Sequence, residues 1–221
     1  MPDNTLVVRS LGPSEYRPVW EVMREFTEAR TDVTADELWL VEHPSVFTLG
    51  YNGKIQHLIT PGTIPVIHTD RGGQVTYHGP GQIVAYVLVD LRRRGWGVRQ
   101  LVTALEQSVI ALLNKYGLKA EARRDAPGVY VAGAKVAALG LRVRRGCSYH
   151  GLSLNVAMDL EPFSRINPCG YPDMPVTDLR SLGIVTEMAE IEQRLIAQLA
   201  QHLESTVVDA RFVSEHSAAC A

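Results

Sequence analysis

The sequence has few cysteines, no basic excess and no long uncharged apolar run, and each shortage removes a class of protein. Only Cys147, Cys169 and Cys220 occur among 221 residues. Their number is odd and no two form a CxxC pair, so neither a disulfide framework nor a metal site is expected. That usage fits a reducing, cytoplasmic compartment. No stretch approaches the roughly 18 uncharged apolar residues of a membrane span. The N-terminal MPDNTLVVRS lacks the basic-then-apolar order of a secretion signal. A formal net charge of −2 argues against a general nucleic-acid binder. Repeats, low-complexity tracts, a Walker-type phosphate loop and a GxGxxG fingerprint are also missing, and no cofactor is expected.

What remains is an ordinary globular composition, 46% apolar and 21% charged, read as one domain. Residues 4–10 suggest a strand. Tyr16, Val19, Trp20, Met23 and Phe26 recur at helical spacing up to about Arg30, with Ser14 as the expected N-cap. Leu38–Val41 and Val46–Leu49 read as strands flanking a His43-Pro44-Ser45 turn. Pro65–Thr69 and Gln82–Asp90 are rich in β-formers, and the run Ile83–Val89 suits a strand buried on both faces. Val98 to Tyr116 carries one apolar stripe and Gly117 ends it. Residues 128–158 read as a β-meander with glycines at its bends. A last helix is expected from about Glu187 to Leu203, capped by Thr186, and the tail beyond residue 213 should fray. This order predicts an α/β or α+β domain with a mixed central sheet flanked by helices.

Four segments carry chemistry. Arg71-Gly72-Gly73-Gln74-Val75-Thr76-Tyr77-His78-Gly79-Pro80-Gly81 holds four glycines in eleven residues, a density that suits backbone turning sharply beside a ligand. Asn167-Pro168-Cys169-Gly170-Tyr171-Pro172 sets a cysteine in rigid loop backbone; a single cysteine is more often structural than catalytic, and this context raises the odds of a reactive thiol while leaving both readings open. Cys147, in an expected strand, reads as packing, and Cys220 as an inert tail residue. Lys135 is the lone charge in Gly133-Ala134-Lys135-Val136-Ala137-Ala138-Leu139-Gly140, a setting that argues for partial burial rather than a solvated hairpin tip, and so for a lysine able to share a proton with a nearby thiol. Ser148-Tyr149-His150-Gly151-Leu152-Ser153-Leu154-Asn155 alternates like a strand with one polar face. His150 is open there to three readings: base, pocket hydrogen-bonder or satisfied core histidine.

The run RGGQVTYHGPGQIVAY, then GAKVAALGLRVRRGCSYHGLSLNV, then INPCGY, resembles the lipoyl(octanoyl) transferases, the lipoate-protein ligase B family, in order over roughly residues 35 to 183. The resemblance implies the fold of lipoate ligases and of the biotin ligase catalytic domain, as a single catalytic domain over residues 1–221 with a core at about 32–208. It implies that Cys169 is the nucleophile, taking octanoate as a thioester from the phosphopantetheine arm of acyl carrier protein. Lys135 matches the lysine that activates the thiol and moves the proton. Arg71, Gly72, Gly73, Gln74, Val75, Thr76, Tyr77 and His78 match the substrate-binding loop. Ala138, Leu139 and Gly140, and Gly151, Leu152 and Ser153, match two further pocket segments.

The acceptors implied are lysines on lipoyl domains of 2-oxoacid dehydrogenase E2 subunits and on the glycine cleavage H protein. No nucleic acid or membrane partner is expected, and the chain is expected to be a monomer. Both protein partners are small acidic domains in this resemblance. Arg92-Arg93-Arg94, or Arg142, Arg144 and Arg145, is expected to steer the carrier protein. The rival readings are an ATP-dependent lipoate or biotin-type ligase, an octanoyl amidotransferase on the same fold, a Cys–His thioesterase using His78 or His150, and a non-catalytic binding module.

Overall fold

The computed structural model describes residues 4–168 and 174–209. Its main sheet has eight strands. They are β1 (Thr5–Pro13), β2 (Asp36–Glu42), β6 (Gln82–Leu88), β7 (Ala120–Ala122), β8 (Gly128–Val131), β9 (Ala134–Arg144), β10 (Cys147–Asn155) and β11 (Thr206–Asp209), in the spatial order β11-β1-β2-β6-β10-β9-β8-β7. A second sheet holds β3 (Val46–Leu49), β4 (Val66–His68) and β5 (Val75–His78) in the order β4-β3-β5. Both sheets mix parallel and antiparallel pairs: β1 runs parallel to β2 and β11, and β3 to β4. The expected meander is β8-β9-β10, with Gly133 and Gly146 in its turns.

Period-two alternation explains why the central strands carry no polar face. On β2, Leu38 and Leu40 join one core while Trp39 and Val41 join another. On β6, Ile83, Ala85 and Val87 face the first core, and Val84, Tyr86 and Leu88 the second. The first core is covered by α3 (Val98–Asn114) and α4 (Met188–His202), the second by Val19 and Met23 of α1 (Tyr16–Ala29). Each face of the sheet thus has its own helical lid, as continuous apolar runs require.

Local details differ from the sequence reading. Ser14 does not cap α1. Glu15 occupies the N-cap position, and the Ser14 hydroxyl donates to the Leu11 carbonyl, 3.1 Å. Thr186 likewise does not cap α4; its hydroxyl donates to Glu190 Oε2, 2.6 Å, from outside the helix. Val98 stands exposed in the first turn of α3, before the buried stripe begins at Leu101.

The Arg92–Arg94 triplet is a structural cluster more than a docking patch. It forms the short helix α2 (Leu91–Arg94), whose first turn is capped by the Asp90 carboxylate. Arg93 and Arg94 donate to the buried Asp36 carboxylate at 2.6 and 2.8 Å, and Arg30 joins them at 2.6 Å. Arg94 also reaches the Leu203 carbonyl and the Ser205 hydroxyl, tying α2 to the end of α4. Only Arg92 of the three is largely exposed, paired with Asp90. Cys147 is buried in β10, where burial pushes its thiol pKa up, as suits a packing residue.

Among the described residues no helix is long and apolar enough to cross a membrane. The segment 169–173 and the tail from residue 210 lie outside them, and so do Cys169 and Cys220.

Candidate active site

A cavity of about 60 Å³ lies on the α1 side of the main sheet, between β6-β10-β9 and the small sheet. Arg71, Gly73, Gln74, Val75, Thr76 and His78 line it from the glycine-rich segment. Lys135, Ala138, Leu139 and Gly140 line it from β9, and Gly151, Leu152 and Ser153 from β10. The three segments singled out in the sequence therefore meet around one space. Gly72 and Tyr77 serve beside it. The Gly72 N–H donates to the Leu141 carbonyl, 2.9 Å, stitching the loop to β9. The Tyr77 ring packs against Phe47 in the small sheet, and its hydroxyl meets that of Ser45 at 2.9 Å.

The loop is held from inside by a buried guanidinium. Arg71 donates to the Thr48 hydroxyl (3.1 and 2.9 Å) and carbonyl (2.6 Å) on β3, and to the Gln74 (2.8 Å) and Gly72 (2.9 Å) carbonyls of its own loop. Across the cavity, β10 and β6 approach closely at Gly151. A Cβ there would lie 2.0 Å from the Ala85 carbonyl oxygen, so only glycine fits.

Lys135 is 3% exposed. Its Nζ donates to the Pro127 carbonyl at 3.3 Å and lies 5.2 Å from the centre of the Tyr130 ring. Gly128 makes room for it. A Cβ there would stand 3.0 Å from Lys135 Cε, and its φ of 150° is one that other residues rarely adopt. Glu106 accepts from the Gly128 N–H, 3.2 Å; burial raises its pKa, and the charge of Lys135 partly offsets that. The Lys135 backbone also binds the chain that follows residues 169–173. Its N–H donates to the Pro175 carbonyl, 2.8 Å, and its carbonyl accepts from the Thr177 N–H, 2.9 Å. Pro168 and Val176 both line the cavity. The chain is thus anchored at the cavity on both sides of the segment that contains Cys169.

The remaining wall is polar, neutral and tightly wired. Asn155 Nδ2 donates to the Thr177 carbonyl, and Gln82 Nε2 donates to Asn155 Oδ1, each at 2.9 Å. That fixes the Gln82 amide so that Oε1 accepts from His78 Nδ1 at 2.7 Å. His78 therefore carries its proton on Nδ1 and its lone pair on Nε2. Burial, with His43 nearby, lowers its pKa to about 3. His43 donates from Nδ1 to the Ser14 carbonyl and accepts at Nε2 from the Tyr86 hydroxyl, both 2.7 Å; burial lowers its pKa to about 4. Tyr16 stacks on His78 with ring centres 5.8 Å apart.

His150 donates from Nε2 to Asp70 at 2.9 Å, and Trp20 and Tyr149 donate to the same carboxylate. Burial alone would raise the Asp70 pKa, but these donors outweigh it and hold the group well below the usual range. Burial lowers the His150 pKa, and Asp70 partly compensates. His150 is thus a buried hydrogen-bonder on the cavity wall.

Sequence reasoning missed Tyr16, Val84, Tyr86, Phe163 and Val176 in the lining, and His43, Gln82 and Asp70 behind it. The available signal was a tyrosine and a glutamine inside the otherwise apolar run QIVAYVLVD.

The family model of the lipoyl protein ligase A/B catalytic domain matches residues 15–200. The octanoyltransferase of Methylococcus capsulatus is 60% identical over 197 residues, covering 89% of this chain and 95% of that protein. The octanoyltransferase of Alkalilimnicola ehrlichii is 59% identical over 208 residues, covering 94% and 95%. The chain belongs to the octanoyltransferases of the lipoyl protein ligase A/B family. Solved structures place the family fold around it. A lipoate-protein ligase A bound with ATP superposes with a TM-score of 0.74 at 14% identity, covering 96% of this chain and 91% of that one. A bi-partite lipoate protein ligase from Thermoplasma acidophilum gives 0.71 at 14% identity, covering 96% and 89%. The biotin protein ligase of Aquifex aeolicus gives 0.54 at 13% identity, covering 91% and 69%. At such identities the likeness is one of fold, and the octanoyltransferase relatives carry the activity.

Proposed function

We propose that the protein moves an octanoyl group from the thioester of an acyl carrier protein to a lysine ε-amine on a lipoyl domain, through a thioester on Cys169. The observation that carries this reading is the buried Lys135 on the cavity wall, hydrogen-bonded to the chain just beyond the Cys169 segment. In the first half-reaction the Cys169 sulfur attacks the donor carbonyl. The carbon–sulfur bond to the carrier arm breaks, and Lys135 passes the thiol proton to the departing thiolate. In the second, the acceptor amine attacks the thioester carbon, the carbon–sulfur bond to Cys169 breaks as the amide forms, and the amine proton returns through Lys135 to the departing Cys169 sulfur. The acyl group arrives activated, so neither step consumes a nucleotide. The glycine-rich loop and the Ala138–Gly140 and Gly151–Ser153 strands enclose the acyl chain.

The test is donor choice. Octanoyl carrier protein without ATP should modify the lipoyl-domain lysine, read by intact mass, while free octanoate with ATP should not. Modification that requires ATP would replace this reading with a ligase mechanism.

A further inference from the structure

The loop between β3 and β4 has no part in the chemistry, yet it turns apolar and basic side chains to solvent. Residues 50–69 contain no aspartate or glutamate. The same loop displays Tyr51, Ile55 and Ile59 at 68%, 65% and 57% exposure, while the other large exposed apolar residues are scattered singly. Grouped apolar side chains beside a cavity mark a contact surface more often than chance exposure does.

This loop borders the cavity at both ends. The Tyr51 N–H donates to the Arg71 carbonyl, 2.7 Å, and the Lys54 N–H to Gln74 Oε1, 3.0 Å, so its first part rides on the cavity-lining loop. Ile59 shares a second depression with Phe163, Pro168 and Val176, which also line the cavity. Two cations accompany the apolar trio. Lys54 is exposed. Arg142, two residues along β9 from the lining Gly140 and so on the same strand face, lies 4.9 Å from the centre of the Tyr51 ring.

We propose that Tyr51, Lys54, Ile55, Ile59 and Arg142 form the docking surface for the acyl donor, an acidic carrier domain whose acyl chain hangs on a phosphodiester-linked arm. The inference rests on the transfer reading above and names the surface that reading leaves unassigned. An acid-free rim matches the domain's charge, Lys54 and Arg142 match the arm's phosphate, and the apolar trio supplies dry contact. The acceptor presents its lysine without a phosphate, so these cations favour the donor.

The experiment compares two donors with the wild type and with a Lys54→Glu, Ile55→Glu variant, reading acylation of Cys169 by intact mass. With octanoyl carrier protein the variant should lose about 30-fold in kcat/KM, the scale of a disrupted hot spot. With octanoyl-pantetheine, which has neither domain nor phosphate, it should stay within about 2-fold of wild type, the scale of a surface change outside the contact. Equal losses with both donors would show that the loop shapes the cavity, and no loss with the carrier would place docking elsewhere. A loss confined to transfer onto the lipoyl domain would assign the surface to the acceptor. Each of these overturns the proposal. Failure of both donors to acylate the wild type would instead sink the thioester reading itself.

Discussion

Two buried charges stand in contrasting settings. Asp36 holds three guanidinium groups, from Arg30, Arg93 and Arg94. Lys135 rests on a carbonyl and an aromatic face, with glycine making room beside it. The first arrangement satisfies charge with charge and joins β2, α1, α2 and the end of α4. Lys135 lies on a cavity wall, with the Pro127 carbonyl, the Tyr130 ring and Glu106 near it. Burial alone therefore does not mark a charged residue for chemistry; access to a cavity is the further sign.

Exchanging the two roles should break the contrast most sharply. Lys135→Ala, like Cys169→Ala, should cut octanoyl transfer by about a thousandfold or more if, as proposed, one is the nucleophile and the other its proton partner. Urea unfolding of Lys135→Ala should remain close to wild type. A variant that keeps activity within tenfold would remove Lys135 from the chemistry. Asp36→Ala should do the reverse. Leaving three arginines without their carboxylate should cost about 3–5 kcal/mol in urea unfolding, while the folded fraction keeps its turnover. Unchanged stability would mean the cluster is dispensable.

The neutral wall offers a finer test. Gln82→Leu removes the acceptor of His78 Nδ1 and the donor to Asn155. Stranding buried polar groups should cost about 1–3 kcal/mol, and nitrogen NMR of His78 should show the Nδ1–H tautomer lost. An unaltered His78 signal would show that the relay does not set the tautomer.

A last effect is graded with pH. His43 and His78 have folded pKa values lowered to about 4 and 3 from the usual 6.5. Between those values and 6.5 the unfolded chain binds more protons, so stability falls as pH drops. The contribution of each histidine should decline by about 1.4 kcal/mol per pH unit, starting near 6.5 and ending near 4 for His43 and near 3 for His78. Urea midpoints at pH 7, 5.5 and 4.5 should decrease in that order. His43→Asn or His78→Asn should flatten the trend, and an unaffected slope would contradict the burial of neutral rings.

The sequence carried the parts of the fold that obey local rules. The stripe of α3, the two-faced run of β6 and the glycine bends of the meander are periodic or conformational, so they were legible. The three cavity segments stood out because glycines, a lone lysine and a loop cysteine are unusual in their surroundings. The polar wall was only partly legible: His78 stood out in the glycine-rich loop, but Tyr16 and His43 come from distant segments and meet it and Tyr86 only once the sheets form. The arginine triplet misled for a related reason. Charge pattern along a chain does not reveal whether an aspartate more than fifty residues away is buried beneath it. β11 was missed because its four residues pair with β1 from the far end of the chain.

The central claim is that Cys169 carries the acyl group and Lys135 moves its proton. Incubating the protein with octanoyl carrier protein, without acceptor or ATP, and weighing it intact tests this most directly. The account predicts one octanoyl group added at Cys169, released by hydroxylamine and passed to a lipoyl-domain lysine on mixing, with formation slowed by Lys135→Ala. An unmodified Cys169 in the presence of a competent donor, or an adduct formed equally fast without Lys135, would contradict it.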